Sequence, residues 1–450
     1  MPQKLTRVLL ILVALGLAAC QAAPATPTSV PVVKLRFTYW GSEMEKAAVE
    51  QMVAAFEKAN PDIRVEPIQL TYEEYLGRIT AMIAQGEGPD VGYFIGLQAP
   101  LWAQEGKILE MTDWVQSDPL LSSALPSTRY YFGNGRIAAM NTAVAVTVLF
   151  YNKALFDQAG LAYPPADPAH AWTWDQFVEA AKKLTVDVNG RHPSEAGFDP
   201  QQIRTYGTAF HKSYEGWTIY PFVFSNGGQL VSDDGTRLLL DSPEASQAIQ
   251  NLADLMWVHH VTPTPAQDAN LPNYVTMLQT GNLAMLIEGA WNLLDLASTR
   301  DLKYGVAVLP SLKQPQTVVL GSPTVIFAGT RHKEAALRFY KFHNNPEAVQ
   351  LFAQGLWMPL QQVYYTDPAK MKFWLGNPAH PAEDQKVFTD YVLNYSTPLP
   401  SYYVRNYAEV LDKAVAPAIE RIWNNEATAA AALSQATAAA QPLLQGRWDR

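Results

Sequence analysis

Two hydrophobic periodicities alternate between residue 34 and residue 95. Residues 34–40 are strand-like, and residues 43–60 place apolar side chains at helical spacing. Residues 63–70 alternate between apolar and polar, residues 72–85 are amphipathic at helical spacing, and residues 90–95 are strand-like again. This strand-helix-strand-helix-strand order predicts a parallel sheet with helices on its faces.

The rest of the chain contains further segments of both kinds. Thr173 to Gln176 has the pattern of a capping box, and Pro243 follows a capping serine, so each site predicts the start of a helix. Strand-like runs occupy residues 143–152, 283–289, 303–310 and 324–329. Further helices are predicted at 332–343, 404–424 and 427–441. With no repeat of fixed period, the order of elements indicates two α/β lobes.

The opening residues have the pattern of a bacterial export signal. Lys4 and Arg7 precede an apolar stretch, residues 8–19, that is too short to span a bilayer. The stretch ends in LAAC (17–20), which resembles a lipobox, where cleavage before Cys20 leaves the thiol free to carry a diacylglycerol. We therefore expect a lipoprotein signal peptide at 1–19, and a lipid on Cys20 that anchors the protein to the outer face of the cell membrane. The alternative is an ordinary secretory signal followed by an unrelated cysteine.

A tether is predicted between this anchor and the globular part. Residues 20–33 are rich in Ala, Pro, Thr and Ser, a composition that forms an extended linker and no core. Cys20 is the only cysteine in the chain, so no disulfide is expected. No later apolar stretch has the length of a membrane span.

Charge and aromatic content narrow the class of ligand. The formal net charge is −9 with 17% charged residues, a balance that argues against nucleic acid, whose phosphates need clustered Lys and Arg. The chain has 12 Trp, 21 Tyr and 17 Phe. Most of these rings belong in the core, but this many tryptophans also suggests an aromatic binding surface.

The sequence contains none of the common catalytic or cofactor motifs that we sought. GxSxG, HExxH, CxxC and the P-loop pattern are absent. GNGRIA (133–138) fits GxGxxA, but it precedes a strand-like run and no helix, so it lacks the context of a dinucleotide site. We predict no catalytic residue, no metal and no cofactor. Asp90 and Glu288 lie at expected strand ends, where α/β sheets bind ligands, but paired carboxylates could equally belong to a glycosidase.

An ordered set of segments resembles one protein family. The segments include FTYWG (37–41), AAFEKANPDIRVE (54–66), GEGPDV (86–91), VLFYNKALFDQAGL (148–161), WTWDQFVEAAKKLT (172–185), FVFSNGGQL (222–230), GNLAMLIEGAWNL (281–293), YGVAVLP (304–310) and KEAALRFYKFH (333–343). In this order they resemble the extracellular solute-binding proteins of bacterial ABC importers, in the branch of maltose- and multiple-sugar-binding lipoproteins. Each segment is degenerate alone, and the ordered set is specific.

The resemblance implies a two-lobed periplasmic-binding-protein fold, in which each lobe is a mostly parallel sheet flanked by helices. Lobe I would comprise 34–145 and 301–344, and lobe II would comprise 146–300 and 345–450, with crossovers near 145, 300 and 345. Hinge closure would bury a carbohydrate, which an ABC transporter permease would then receive. No enzymatic activity and no nucleic-acid partner are implied.

A sugar site needs polar groups for hydroxyls and flat rings for C–H faces. Trp291, Asp90 and Tyr151 match positions where the family contacts its ligand, and Trp40 with Gly41 follows the first strand. The other candidates, each of which could instead be packing, are Trp217, Tyr220, Trp357, Tyr402 and Arg405.

Two alternatives to sugar capture stay open. The same fold could bind a polyol phosphate or another small solute, and Arg129 and Arg405 would signal an anionic ligand if both faced the cleft. A secreted glycosidase with two cleft carboxylates is the other alternative.

Overall fold

The computed structural model of the protein describes residues 32–450. The predicted signal peptide at 1–19, the predicted lipid site Cys20 and nearly all of the predicted tether lie outside the described residues. Within 32–450, no helix combines the length and the hydrophobicity that a membrane crossing requires.

Fourteen strands are numbered in chain order over the described residues. They are β1 (Val33–Tyr39), β2 (Ile63–Gln69), β3 (Val91–Tyr93), β4 (Arg129–Phe132), β5 (Arg136–Asn141), β6 (Ala145–Asn152), β7 (Val186–Asp187), β8 (Ile203–Thr205), β9 (Ala209–Phe210), β10 (Met285–Gly289), β11 (Tyr304–Ala307), β12 (Thr317–Leu320), β13 (Pro323–Ile326) and β14 (Ser396–Pro398).

The α-helices of residues 32–450 are numbered in the same way. They are α1 (Glu43–Ala59), α2 (Tyr75–Ala84), α3 (Ala99–Gln104), α4 (Thr112–Ser117), α5 (Pro119–Ser122), α6 (Lys153–Ala159), α7 (Trp174–Leu184), α8 (Tyr220–Ser225), α9 (Pro243–Trp257), α10 (Pro265–Asp268), α11 (Tyr274–Thr280), α12 (Leu293–Ser298), α13 (Lys333–His343), α14 (Gln350–Ala353), α15 (Val363–Thr366), α16 (Pro368–Leu375), α17 (Gln385–Phe388), α18 (Asp390–Asn394), α19 (Tyr407–Val410), α20 (Ala416–Trp423) and α21 (Ala429–Ala440). A π-helical turn, Leu411–Val415, joins α19 to α20 without a break.

The first sheet has six strands in the order β2-β1-β3-β13-β5-β4. The chain-order prediction is confirmed at its start, because β1 runs parallel to both β2 and β3. The alternation of β1 buries both faces: the Phe37 ring packs 5.0 Å from the Phe339 ring of α13, and the Thr38 hydroxyl meets the Tyr75 hydroxyl of α2 at 2.7 Å. Helices therefore cover this sheet on both sides.

The second sheet is built around the long strand β6. Its order is β14-β12-β6-β10-β9, and β11 also pairs with β6. Strands β10, β11 and β12 all run antiparallel to β6, so this sheet is mixed, as is the first sheet beyond β3. The expected proportion of parallel strands was too high because strands that return from elsewhere in the chain insert in the opposite direction.

Two neighbouring crossings connect the sheets. Residues 142–144 lead from β5 to β6, and Gly321 and Ser322 lead from β12 to β13. The Thr142 amide donates to the Ser322 carbonyl at 2.7 Å. Gly321 has φ 143°, and a Cβ there would lie 2.3 Å from the Ala143 carbonyl oxygen, so only glycine fits this crossing without strain. We call the parts built around the first and second sheets the first and second lobes.

The sheet pairing differs from two expected boundaries. Strands β11 and β12 pair with β6, so residues 304–320 belong with the second sheet, and the return crossing falls at 321–322 instead of near 300. Met358 pairs with Val144, and Leu360 accepts from the Leu125 amide at 2.8 Å, so residues up to about 361 stay with the first lobe. Later segments reach the second lobe, because β14 pairs with β12. Strand-like patterns alone do not reveal which sheet a strand joins.

Local signals set several element boundaries. Thr173 and Gln176 form the predicted capping box of α7, and Ser242 caps α9 with Pro243 at its first position. GNGRIA (133–138) spans the β4–β5 hairpin turn, where three consecutive residues from Gly133 have positive φ. Its glycines adopt the positive φ values of this turn, and a strand follows them where a dinucleotide site would have a helix.

Candidate functional site

A cavity of about 540 Å³ lies between the two lobes, and we call it the interlobe cavity. Its walls come from the carboxyl ends of β1 and β3 in the first lobe and of β10 in the second lobe, and its floor comes from the two crossings. The volume falls in the range of small-molecule sites, and the carboxyl ends of strands are where α/β sheets bind ligands.

Aromatic rings dominate the first-lobe wall. Trp40 follows β1, and its ring centroid lies 5.2 Å from Tyr72, 4.8 Å from Tyr75 and 5.4 Å from Tyr93, all nearly perpendicular. Gly41 comes next, and a Cβ there would collide with the Glu45 side chain. The glycine therefore lets the Glu45 carboxylate fold back toward the cavity.

Two tryptophans form the second-lobe wall. Trp291 follows β10, lies over the Gly289 backbone and meets the Trp217 ring at 5.1 Å. The Trp217 carbonyl accepts from the Thr147 hydroxyl at 2.6 Å, which fixes this loop to β6. Trp291 is 39% exposed, so its ring presents apolar surface to the cavity instead of filling a core.

Further aromatic rings line the floor of the interlobe cavity. Trp357 is buried against the His343 ring, 4.7 Å between centroids. Tyr402 stacks on Tyr130 at 4.1 Å, and both hydroxyls approach the Gly321 carbonyl, which accepts from Tyr130 at 2.7 Å and from Tyr402 at 3.4 Å. The stack therefore ties the floor directly to the crossing.

Carboxylates from opposite lobes, Glu45 and Asp295, line the interlobe cavity. Burial raises the pKa of Glu45 to about 8; the Tyr93 hydroxyl and the Trp357 indole lower it in part, and the charge of Asp295 raises it further. The Tyr93 hydroxyl donates to Glu45 Oε1 at 3.3 Å. Burial also raises the pKa of Asp295, which the nearby Ser42 hydroxyl lowers in part.

Two further carboxylates line the same cavity. Glu73 comes from the loop after β2, and Glu215 comes from the loop before α8. Burial raises the pKa of Glu215, whose charge also acts on Tyr72 across the cavity. None of the four carboxylates enters an ion pair with another described residue, and no Lys, Arg or His among residues 32–450 lines the cavity.

Six of the residues expected from the sequence lie together on these walls. They are Trp40, Gly41, Trp217, Trp291, Trp357 and Tyr402. They come from both lobes and from the segments beside the crossings. Six of the expected residues therefore line one cavity, and their contacts with a ligand stay a prediction.

Asp90 does not line the interlobe cavity. It precedes β3, where its carboxylate accepts from the Arg36 amide at 2.8 Å and from the Thr330 hydroxyl. This is the amino end of the strand, whereas the cavity lies at the carboxyl end, beyond Tyr93. Asp90 therefore lies at a strand end, as expected, but at the end away from the interlobe cavity.

Tyr151 and Tyr220 are core residues. Tyr151 is 2% exposed, sits near the end of β6 opposite Gly305, and packs 5.4 Å from the Phe156 ring. Because β6 begins at the crossing, its far end points away from the cavity. Tyr220 is 1% exposed in α8, and its neighbour Trp217 reaches the wall instead.

The two arginines that would have signalled an anionic ligand also lie off the cavity. Arg405 donates from Nε to the Arg447 carbonyl at 2.9 Å and stacks on Trp448 at 4.6 Å. Arg129 donates to the Ser122 and Ala124 carbonyls at 3.1 and 3.2 Å. Both guanidinium groups stabilise backbone turns.

Sequence reasoning missed most of the polar lining. The missed residues include Ser42, Glu45, Tyr72, Glu73, Tyr93, Glu215, Asn292, Asp295 and Ser322. Tyr72 and Glu73 follow the carboxyl end of β2, so the strand-end rule applied to every parallel strand would have found them. Glu215 follows β9, which also runs parallel to its neighbour β10, but this strand has only two residues, too few to show a pattern in the sequence.

A smaller pocket of about 230 Å³ lies in the second lobe and includes His211, Lys212, Asp268, Asn273 and Tyr274. We call it the lysine pocket. Lys212 Nζ donates to Asp268 and, at 2.9 Å, to the Tyr274 hydroxyl. The His211 ring lies 5.4 Å from the Trp217 ring, so the lysine pocket sits behind the cavity wall. Among residues 32–450 no cluster of side chains has the makeup of a metal site.

Comparisons with known proteins agree with this architecture. An arabinooligosaccharide-binding protein of Halalkalibacterium halodurans is 24% identical over 341 residues, which cover 72% of this chain and 69% of the relative. The sn-glycerol-3-phosphate-binding periplasmic protein of Rhizobium meliloti is 24% identical over 351 residues, 73% of this chain and 76% of the relative.

Solved structures confirm the two-lobed α/β fold. The ABC substrate-binding protein of Listeria monocytogenes in complex with cycloalternan superposes with a TM-score of 0.75 at 23% identity, over 90% of this chain and 97% of the other. A solute-binding protein of Thermotoga lettingae bound with α-D-tagatose gives 0.74 at 22% identity, over 91% and 99%. The model of the bacterial extracellular solute-binding protein family matches residues 40–350, more than half of the chain. The chain therefore belongs to the bacterial extracellular solute-binding protein family.

Proposed function

We propose that this protein is an extracytoplasmic substrate-binding protein that captures a carbohydrate in the interlobe cavity and delivers it to an ABC transporter permease. The observation that carries the proposal is the meeting of tryptophans from both lobes, Trp40 and Trp217 with Trp291, around one cavity of about 540 Å³. Flat rings match the C–H faces of sugars. Since the rings belong to different lobes, a ligand between them would favour the closed arrangement.

The polar lining suits hydroxyl groups. Asn292, Ser322 and Ser401 offer neutral donors and acceptors, and the four carboxylates offer strong acceptors. We propose ligand contacts for the six expected residues on the walls, and no contacts for Asp90, Tyr151, Tyr220 and Arg405. The names of the arabinooligosaccharide-binding relative and of the cycloalternan and tagatose complexes support a saccharide ligand.

A polyol phosphate is the second candidate, and the sn-glycerol-3-phosphate-binding relatives favour it. A phosphate would enter a cavity whose described lining includes Glu45, Glu73, Glu215 and Asp295 and no cationic side chain. Like charges at close range in a partly desolvated site repel strongly. We therefore rank the phosphorylated ligand below a sugar without phosphate.

Titration calorimetry against mono- and oligosaccharides, with sn-glycerol 3-phosphate alongside, tests the proposal. We expect saturable binding of at least one saccharide and no binding of the phosphate. Chromatography of the incubated saccharides checks for turnover, because a secreted glycosidase would release products and a capture protein would not. Preferential binding of sn-glycerol 3-phosphate, or steady product release, would contradict sugar capture.

We also propose that a lipid on Cys20 holds the protein at the outer face of the cell membrane. The lipobox-like LAAC (17–20) supports the anchor, and so does the name of a relative, an uncharacterized lipoprotein of Streptomyces antibioticus that is 24% identical over 437 residues. Cys20→Ala should move the protein from the membrane fraction to the soluble fraction. Ser29→Ala, in the predicted tether, serves as the control and should stay with the membrane. Membrane retention of the Cys20 variant would contradict lipidation.

A further inference from the structure

The charges that line the interlobe cavity all have one sign. Glu45 and Glu73 come from the first lobe, and Glu215 and Asp295 come from the second lobe. No Lys, Arg or His of residues 32–450 joins them on the walls, and none of the four carboxylates is paired elsewhere in the described chain. The described part of the chain therefore supplies no cationic partner for these acidic side chains.

The ionised form of these carboxyls is disfavoured in the interlobe cavity. Burial raises the pKa of Glu45, Glu215 and Asp295, and Asp295 raises the pKa of Glu45 further. Burial is the main cause of all three shifts, and the charge of Asp295 adds to it only at Glu45, so the ionised form of each carboxyl is poorly solvated. A bound positive charge would stabilise the ionised carboxylates by charge attraction, whereas a neutral ligand could only donate hydrogen bonds to them.

The aromatic walls suit the same positive charge. Tryptophan and tyrosine faces attract ammonium groups through the ring quadrupole, and the attraction grows when water is excluded. Trp40 and Tyr72 stand near Glu73, and the Trp217–Trp291 pair stands on the wall that carries Asp295. Rings and carboxylates together form a site for a group that is both flat-faced and cationic.

We propose that the physiological ligand is an amino sugar, meaning a saccharide that carries a free, protonated amine, and that the carboxylates from both lobes bind the ammonium group. This inference rests on the proposed function, because it assumes that a saccharide occupies the interlobe cavity. A neutral sugar would contact the rings and donate hydroxyl hydrogen bonds to the carboxyls, but it would bring no positive charge to the four acidic side chains. The amine supplies the missing counter-charge, and its binding draws the lobes together.

Matched sugars that differ at one position test the inference by calorimetry at low ionic strength. Each set contains a hydroxyl sugar, its 2-amino derivative and its N-acetyl derivative: glucose, galactose and the β-1,4-linked disaccharide of glucose, each with its two counterparts. We expect the free amine to bind roughly 10-fold tighter than either partner, the contribution of one charge-assisted hydrogen bond. The N-acetyl sugar adds bulk without charge, so it separates charge from size. The preference for the amine should shrink as salt is added.

Equal or tighter binding of the hydroxyl or N-acetyl partner would overturn the inference and leave sugar capture intact. Failure of every saccharide to bind would overturn sugar capture itself, and the inference with it. The two failures are therefore distinguishable.

Carboxyl-to-amide variants test which carboxylates bind the ammonium group of the ligand. Glu45→Gln and Glu215→Gln should each reduce the amine preference roughly 10-fold and change the affinity for the hydroxyl sugar by no more than about 3-fold. Glu50→Gln, on the exposed face of the same helix as Glu45, removes an equal charge outside the cavity and should keep the preference. Equal effects of Glu50→Gln and Glu45→Gln would contradict binding of the amine by the lining carboxylates.

Discussion

The interlobe cavity and the lysine pocket both contain acidic side chains, but only the lysine pocket neutralises them. In the lysine pocket Asp268 is paired with Lys212, and Glu288 beside it is paired with His211 at 2.7 Å. In the interlobe cavity the charge of Asp295 acts on Glu45, and no Lys, Arg or His of the described residues lines the walls. The two regions lie on opposite sides of the same wall.

The ion pairs in and beside the lysine pocket support the second-lobe wall of the interlobe cavity. Glu288 is buried in β10, and its Oε1 accepts from the Gly289 amide at 2.8 Å, just before Trp291. Burial lowers the pKa of His211, but the hydrogen bond and charge of Glu288 outweigh this effect, so the pKa is raised overall. His211 in turn packs against Trp217. The lysine pocket thus holds both tryptophans of the second-lobe wall in place.

The contrast predicts which property depends on the charged groups of each region, folding stability or ligand binding. A buried ion pair is complete within the chain, so its loss should reduce folding stability. An unpaired carboxylate in a cavity reduces folding stability while the cavity is empty and gains a partner only when a ligand arrives. Substitutions in the two regions should therefore affect different measurements.

The largest effect is expected at Lys212. Lys212→Met leaves Asp268 without its cation in a partly buried site, and we expect the free energy of unfolding to fall by about 2–4 kcal/mol. Chemical denaturation measures the change. Lys212 has only 11% of its side chain exposed, so solvent replaces little of the lost interaction.

Two control variants isolate the ion pair at Lys212. Adding Asp268→Asn to Lys212→Met should restore most of the stability, because it removes the stranded charge. Lys46→Met, which breaks the exposed Lys46–Glu43 pair of 3.7 Å, should change stability by less than about 1 kcal/mol. Similar losses for Lys212→Met and Lys46→Met would show that the lysine pocket contributes no special stability.

The next largest effect is expected on binding, at Trp291. Trp291→Ala should weaken ligand binding by about 1–3 kcal/mol, the contribution of an aromatic anchor, with little change in the unfolding transition. The ring is 39% exposed in the open cavity, so the fold depends on it only slightly. Calorimetry and denaturation on the same preparation separate the two quantities.

Phe373 provides a matched control for Trp291. It is 40% exposed but lies in α16, outside the interlobe cavity. Phe373→Ala should leave ligand affinity unchanged. Unchanged affinity in Trp291→Ala as well would remove that ring from the binding site and weaken the contrast between the two regions.

The same contrast explains what the sequence could and could not predict. The β1-to-β3 elements and the capping box at Thr173 follow from short-range patterns, and the structure has them. Most of the aromatic residues of the walls were expected from the family resemblance, and six expected residues line the cavity. Asp90 was placed at the site because it borders a strand, but the direction of β3 turns it to the opposite edge. A strand pattern has no direction until its neighbours are known.

For a similar reason, the sequence alone could not predict which carboxylates are paired with a cation. Lys212 and Asp268 are 56 residues apart, and Glu45 and Asp295 are 250 residues apart, so only the folded chain shows which carboxylates find a cation. The sheet membership of β11 and β12 is a third case, since each pairs with a strand more than a hundred residues earlier.

The smallest effect, and the one that tests the contrast most directly, is the pH dependence of stability at Glu45. The pKa of Glu45 is raised from about 4.5 to about 8 in the folded protein, mainly by burial and then by Asp295. Below pH 4.5 the carboxyl is protonated in both states and has no effect. Between pH 4.5 and pH 8 the folded state keeps a proton that the unfolded state releases, so the free energy of unfolding falls as the pH rises.

Glu45→Gln should remove this dependence. Because the side chain is partly exposed, we expect the ligand-free variant to exceed the parent by about 1–2 kcal/mol at pH 8 and to equal it near pH 4.5. Thermal or chemical unfolding across this range measures the difference, with Glu50→Gln as the control that should follow the parent at every pH. A gain that is the same at pH 4.5 and pH 8 would mean that the carboxylate is not destabilising. In that case the interlobe cavity would not differ from the lysine pocket in unpaired charge, and the requirement for a cationic ligand would lose its physical basis.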